Sequence, residues 1–579
     1  MIRTAAAADL LPLRPRMRFA ALVSATLLVL VCASPGAGQD DAEGLRDLVP
    51  DRAEGEGPHD RLILRGGTLI DGTGAPPNGP VDIVVEGDRI TAIRVVGTPQ
   101  GGPIERRRPK AQPGDVELDV EGMYILPGFV DLHGHQHTES SGQGVPATYI
   151  HKLWMSHGIT TSADLGNFDV DWLMHHKERS AKNEITAPRF YAYVIFGNGW
   201  DRRITSTELA REWVQWVKRK GADGIKFFGA PPEILRAALD EAKKQGLRTT
   251  EHHAQLDVTR MNVLQTARAG LTSMQHWYGL PEALFENQVV QNYPVEYNYQ
   301  DEGDRFREAG RLWKQAAKPG SDRWNEVMNE LLELDFTIVP TWVAYLASRD
   351  LMKQSRAEWH AVYTMPQLWD FYRPSPTSHG SYWFDWTTQD ELDWKENYRL
   401  WMAFVNEYKN RGGRVGLGSD SGYIYNLYGF GYIQEMELFL EAGFHPLEII
   451  RSATLMGAEA LGADADLGSI QVGKLADFVI VPDNPLHNIK NLFAMGALHY
   501  DPETGEMVRK GGIRYTIKNG VVYDVDGLLE DVREMVRAAR AERGMPPPPM
   551  PMFIDSHGFP GAGDGSAPAA ASAPNSGQE

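Results

Sequence analysis

The sequence predicts an α/β protein: a (β/α)8 TIM-like barrel with a small β-sandwich built from both the N- and C-terminal flanks. Three observations predict it. Strand-like and helix-like segments alternate through the middle of the chain, which implies a parallel sheet. Candidate metal-ligating side chains fall at the C-terminal ends of successive predicted strands, the edge where such barrels carry their chemistry. Short Val/Ile-rich runs punctuated by Gly and Asp recur near both ends of the chain, as hairpins require.

Residues 1–38 read as a processing segment. Arg14, Arg16 and Arg18 precede an apolar run over 19–33, followed by small residues, the pattern of a secretory signal. The run is too short for a comfortable membrane span. Cys32 is the single cysteine, so a chain cleaved after Gly38 has no thiol, disulfide or Cys-ligated metal. Val31 is bulkier than lipid attachment at Cys32 normally accepts. A secreted or periplasmic location is therefore expected, in preference to a lipoprotein.

Residues 39–125 supply the first part of the β-module. Strands are expected at 62–64, 68–70, 81–85 and 89–93, with a turn at Asp71-Gly72-Thr73-Gly74. Residues 461–525 supply the rest, with strands at 476–481 and 514–523 and an Asn519-Gly520 turn. Between them, residues 126–460 form the predicted barrel. Its strands are the segment leading into Asp131 and those at 158–165, 189–196, 224–228, 247–253, 271–276, 336–342 and 414–418, with helices such as 208–220 and 233–245 between them. At about thirty residues per βα unit, His133 to Lys226 spans three units. Lys226 to His253 and His253 to His276 span one each, but His276 to Asp420 is far longer than two. The excess, about residues 281–410, holds Trp342, Trp359, Trp369, Trp383, Trp386, Trp394 and Trp401, seven of the fifteen tryptophans. It reads as a buried mini-core over the barrel, as the wall of an apolar pocket, or as both. Residues 526–579 read as a helix and then a disordered Pro/Ala/Gly-rich tail.

The net charge of −19 excludes nucleic acid as a partner, because neutralising phosphates needs clustered Lys and Arg. The expected partner is a small-molecule or peptide-like substrate, with further copies of the chain in a homo-oligomer as the other option.

The chemistry sits in five segments. His133 and His135 are two apart, so on an extended strand both face one side and can bind one ion; His137 continues the alternation, as a third inward group or a loop histidine. Lys226 ends an apolar strand. By itself it reads as a core lysine; beside the other ligands it reads as a carboxylated lysine bridging two cations, since a free ammonium only donates. His252 and His253 are adjacent, so one of the two is a ligand; His253 suits the register better, and His252 stays open. His276 closes the next strand, and Asp420 follows the Gly-lined 415–419 segment. Divalent metal, zinc as one or two ions, is the expected cofactor. It would lower the pKa of a bound water towards about 7, with Asp420 as general base.

Beyond these ligands, Leu69-Ile70-Asp71-Gly72-Thr73-Gly74, the 126–133 segment Leu-Pro-Gly-Phe-Val-Asp-Leu-His, Gly158-Ile159-Thr160-Thr161 and the 467–479 stretch look like family signatures. By them the chain resembles the amidohydrolase superfamily, imidazolonepropionase/prolidase-like branch, over roughly residues 60–525. The resemblance implies a metal-bearing barrel hydrolysing amides or cyclic amides, with His133, His135, Lys226, His253, His276 and Asp420 as the binuclear ligand set. The doubled histidine and the long insertion depart from it. A lactone, carbamate or imide hydrolase on the same site, and a non-catalytic exported binding protein, are the competing expectations.

Overall fold

Residues 45, 48–136, 143–373, 380–383 and 385–548 are described by a computed structural model. The predicted export segment, Cys32, His137 and the end of the C-terminal tail lie outside the described residues.

The centre is a curled sheet of eight parallel strands: β1 (Phe129–Gly134), β2 (Ile159–Asp164), β3 (Arg189–Ile195), β4 (Gly224–Phe227), β5 (Arg248–Glu251), β6 (Ser273–Gln275), β7 (Thr337–Val339) and β8 (Arg414–Val415). Each pairs with the next in chain order. All residues of β1, β2 and β4 are buried, as parallel strands covered on both faces must be. Beyond β8 the chain returns to β1: Leu132 N–H donates to Leu417 O at 3.0 Å and Asp420 N–H to His133 O at 2.8 Å. The approach needs glycine. A Cβ on Gly416 would lie 2.3 Å from Leu132 Cδ1, and one on Gly418 2.9 Å from His133 Cβ.

Two connecting helices form as their sequences dictate. In α1 (Thr207–Arg219) Ser206 caps Leu209 N–H, while Ala210, Trp213, Val214 and Val217 form a buried stripe. In α2 (Pro232–Lys244) a proline opens the helix, and Ile234, Leu235, Ala238 and Ala242 are buried. Beside them lies a second eight-stranded sheet. Tyr124–Pro127 from the N-terminal flank pairs antiparallel with Phe478–Val481 from the C-terminal flank, so the two ends of the chain share one sheet. Tyr124–Pro127 runs through Gly128 directly into β1.

The long stretch between β6 and β8 holds α3 (Glu302–Ala309), α4 (Asp322–Glu333) and α5 (Thr388–Asn410) among shorter turns. Trp342, Trp394 and Trp401 are fully buried there, and Trp359 and Trp383 nearly so. The mini-core is therefore real. It also reaches the strand ends: Trp394 stacks on Tyr345 at 5.5 Å, and Tyr345 stands edge-on to His276 at 5.4 Å. No helix among the described residues is long and apolar enough to cross a membrane.

Candidate metal centre

β1 delivers His133 at its end and His135 two residues on, with ring centroids 5.0 Å apart. Asp131, fully buried, ties this strand to the segment after β8. Its Oδ1 accepts from His133 N–H at 3.0 Å and Ser419 N–H at 2.9 Å, and its Oδ2 accepts from Ser419 Oγ at 2.5 Å. Asp420 follows in a left-handed backbone conformation, φ +46°. Asn426 Nδ2 holds the carbonyls of Ser419 and Asp420 at 2.8 and 3.2 Å. Strained backbone of this kind persists where its surroundings over-determine it.

The Asp420 carboxylate then faces three imidazoles. Oδ1 lies 3.4 Å from His133 Nε2 and 3.0 Å from His135 Nε2, and Oδ2 lies 3.6 Å from His276 Nε2. Burial alone would raise the Asp420 carboxyl, but His133, His135 and His276 hold it well below the usual carboxylate range. Burial pushes His133 well below the ordinary imidazole value, against the opposing pull of the Asp420 carboxylate. His276, also at positive φ (+63°), sets its Nδ1 2.5 Å from Thr341 Oγ1, and Thr341 donates to Pro340 O at 2.7 Å. With the hydroxyl proton so committed, Thr341 accepts from Nδ1–H, and the His276 Nε2 lone pair is turned towards Asp420.

Lys226 ends β4 with its Nζ buried and hydrogen-bonded to no described residue. Burial pulls its pKa down to about 7, against the opposing pull of Asp420 and Glu251. An orphaned, partly neutral amine in a polar centre is the form that can take up carbon dioxide and become an anionic ligand. Ligand atoms of His133, His276 and Asp420 lie within 4.8 Å of one another. Neutral imidazoles, one carboxylate and a lone buried amine fit a divalent ion of the zinc type.

At strand five, where the sequence left His252 and His253 open with His253 preferred, the structure separates the two. His253, read there as the ligand, turns away from this cluster. Its Nε2 bonds Thr266 Oγ1 at 2.8 Å on the helix Val263–Arg268, and because Thr266 donates to Val263 O, the imidazole is the donor. His252 takes the inward place, with its ring 4.7 Å from His276 and 5.3 Å from Tyr278. Register decides this. Lys226 pairs with Thr250, so Thr250 and His252 share the face of Lys226, while Glu251 and His253 share the other. His253 is held neutral, its pKa lowered to about 3 by burial and then by Lys226. Glu251, 3.6 Å from it, is raised to about 8 by burial and then Asp257, against Lys226.

The structure thus brings His133, His135, His276 and Asp420 together, sets Lys226 and His252 beside them, and leaves His253 outside. Sequence reading missed the Asp131–Ser419 clamp, Thr341, and Gly166, where a Cβ would stand 2.3 Å from His135 Nδ1. Gly166 left a trace in the sequence as a glycine just beyond a predicted strand.

Residues 401–523 match the model of the amidohydrolase family. An N-acyl-D-glutamate deacylase of Alcaligenes xylosoxydans xylosoxydans is 38% identical over 74 residues, which is 13% of this chain and 12% of the relative. The chain thus matches only about an eighth of that relative's length. A Xaa-Pro dipeptidase crystallised with methionine in its active site is 18% identical, with a TM-score of 0.52 over 80% of this chain and all of that one. A bottromycin amidohydrolase is 17% identical, with a TM-score of 0.55 over 85% of this chain and 92% of that one. At these identities the two structures share the fold.

Proposed function

Because the chain belongs to the amidohydrolase superfamily, we propose that it is an exported, zinc-dependent hydrolase of the amide bond in N-acyl amino acids or dipeptide-like substrates. One observation carries the reading: a single ionised carboxylate, Asp420, lies within 3.6 Å of Nε2 of three histidines at converging strand ends. The wider architecture supports it. We read the eight parallel strands as a closed (β/α)8 barrel, on the bonds from Leu132 and Asp420 across to the far edge, and the flank sheet as part of the companion β-sandwich. The substrate class draws on the deacylase and dipeptidase likenesses and on the aromatic wall of the insertion. Export rests on the 1–38 segment.

His133, His135, His252, His276, Asp420 and a carboxylated Lys226 would hold one or two ions. A divalent cation supplies Lewis acidity and a water that ionises near neutral pH. Asp420, pinned through Ser419 and Asn426, accepts a proton from the water that attacks the amide carbon. It then carries that proton to the departing nitrogen, which leaves as an amine. Tyr345 and the tryptophans behind it exclude bulk water on the insertion side.

The test is a panel of N-acyl amino acids, dipeptides, cyclic amides and lactones, run with metal-free and zinc-reconstituted protein. The expected result is zinc-dependent hydrolysis of open-chain amides that falls by about 10²–10⁴ in Asp420→Asn. Turnover confined to lactones, or equal in the metal-free protein, overturns the reading.

A further inference from the structure

The insertion places a half-buried cation, Arg305, near the strand ends. Arg305, on α3, has its side chain 13% exposed, and its guanidinium lies over Tyr299 at 4.7 Å and Phe306 at 5.1 Å. Its own bonds are weak: Nε donates to Gln255 Oε1 at 3.3 Å, and Nη1 reaches Glu302 Oε1 only at 3.5 Å. Gln255 is 4% exposed and stands three residues beyond the inward-facing His252. Its carbonyl oxygen is turned to Arg305, and its Nε2 donor is buried without a partner. The neighbours of Arg305 lead to the metal centre. Phe306 is 6.3 Å from Tyr345, which stands edge-on to His276.

A buried amide donor without an acceptor among the described residues thus stands beside a guanidinium whose own bonds are long, in a largely desolvated setting. Buried donors left unmade are costly, and a guanidinium fork matches a carboxylate. We propose that Arg305, assisted by Gln255 Nε2, binds the carboxylate of the substrate's amino-acid portion and so selects anionic amides. This rests on the amidohydrolase reading for what the anion is attached to. Arg305 is a specificity-determining residue here, contributed by the insertion rather than by a strand end.

The probes are 3-benzoylpropionate, a ketone isostere of an N-acyl amino acid with no carbon–nitrogen bond to cleave, and its neutral counterpart 1-phenylpentane-1,4-dione. Both are titrated calorimetrically into the zinc-reconstituted chain. The wild type should bind the acid at least about tenfold tighter than the diketone. Arg305→Gln should lose that preference, weakening the acid by roughly ten- to a hundredfold and the diketone by less than about threefold. Arg305→Lys should keep part of it, as a charge without the fork. Should Arg305→Gln misfold, Gln255→Met removes only the second donor and should weaken the acid alone.

Equal binding of the two probes by the wild type, no binding of either, or equal weakening of both in the variants overturns the proposal; the last result marks Arg305 as structural. Hippurate turnover by the same zinc-loaded protein separates the two readings. An Arg305-dependent acid preference without turnover removes the hydrolase and leaves the anion site. Turnover without acid preference does the reverse.

Discussion

At the residue scale, His252 and His253 show how little separates a metal ligand from a core residue. Both are histidines at the end of strand five, His252 half-buried and His253 buried. One packs on His276 and the other bonds Thr266. His252→Ala should therefore lower zinc affinity by about 10–100-fold, the range for groups that hold a metal site together, as read by chelator competition. His253→Ala should keep its zinc and instead cost about 1–3 kcal/mol of stability in urea unfolding, because Thr266 loses a buried partner. The opposite pattern would return the ligand role to His253. The doubled histidine was visible in the sequence. The choice between its members was not, since it depends on which residue of β4 lies beside Thr250.

At the scale of elements, the site is held by segments whose own anchors lie elsewhere. The turn Trp342–Tyr345 follows Thr341, which has φ +51° and orients His276. Glu435, buried on the helix Phe430–Glu441, fixes that turn by accepting from Trp342 N–H at 2.9 Å and Val343 N–H at 2.6 Å. Burial raises its pKa to about 8, against the pull of these two bonds. Glu435→Gln would set an amide N–H₂ against one of the two backbone N–H groups. It should weaken zinc binding by about tenfold through Thr341, measured by the same competition, without touching a ligand. Unchanged zinc affinity would mean that Thr341 holds its geometry unaided. The strands were legible from their apolar runs and the helices α1 and α2 from their periodicity. The last predicted strand, at 414–418, shortens to Arg414–Val415. Gly416 and Gly418 permit the close approach to β1, and Gly416 N–H still donates to Ile338 O of β7 at 3.0 Å.

At the scale of the whole molecule, the flank sheet and the β/α body are joined by Lys518, fully buried on the strand Tyr515–Lys518, whose Nζ donates to Ser180 O and, at 2.9 Å, to Asn183 Oδ1. Burial, and then Arg189, lower its pKa to about 7. The folded state then binds fewer protons than the unfolded chain between about pH 7 and the ordinary lysine value, so the stability linked to Lys518 rises with pH across that window. Urea unfolding at pH 7 to 10 should show the wild type gaining up to several kcal/mol relative to Lys518→Met; a pH-independent difference would refute it. The sequence by itself determined the alternation that makes a parallel sheet, the two flanks that form one module, and the spacing of side chains able to bind metal, because periodicity and residue chemistry are local. Which of two neighbouring histidines turns inward, what orients His276, and that an arginine from the insertion comes to lie near the strand ends were decided by tertiary structure, because each depends on contacts between segments far apart in the chain.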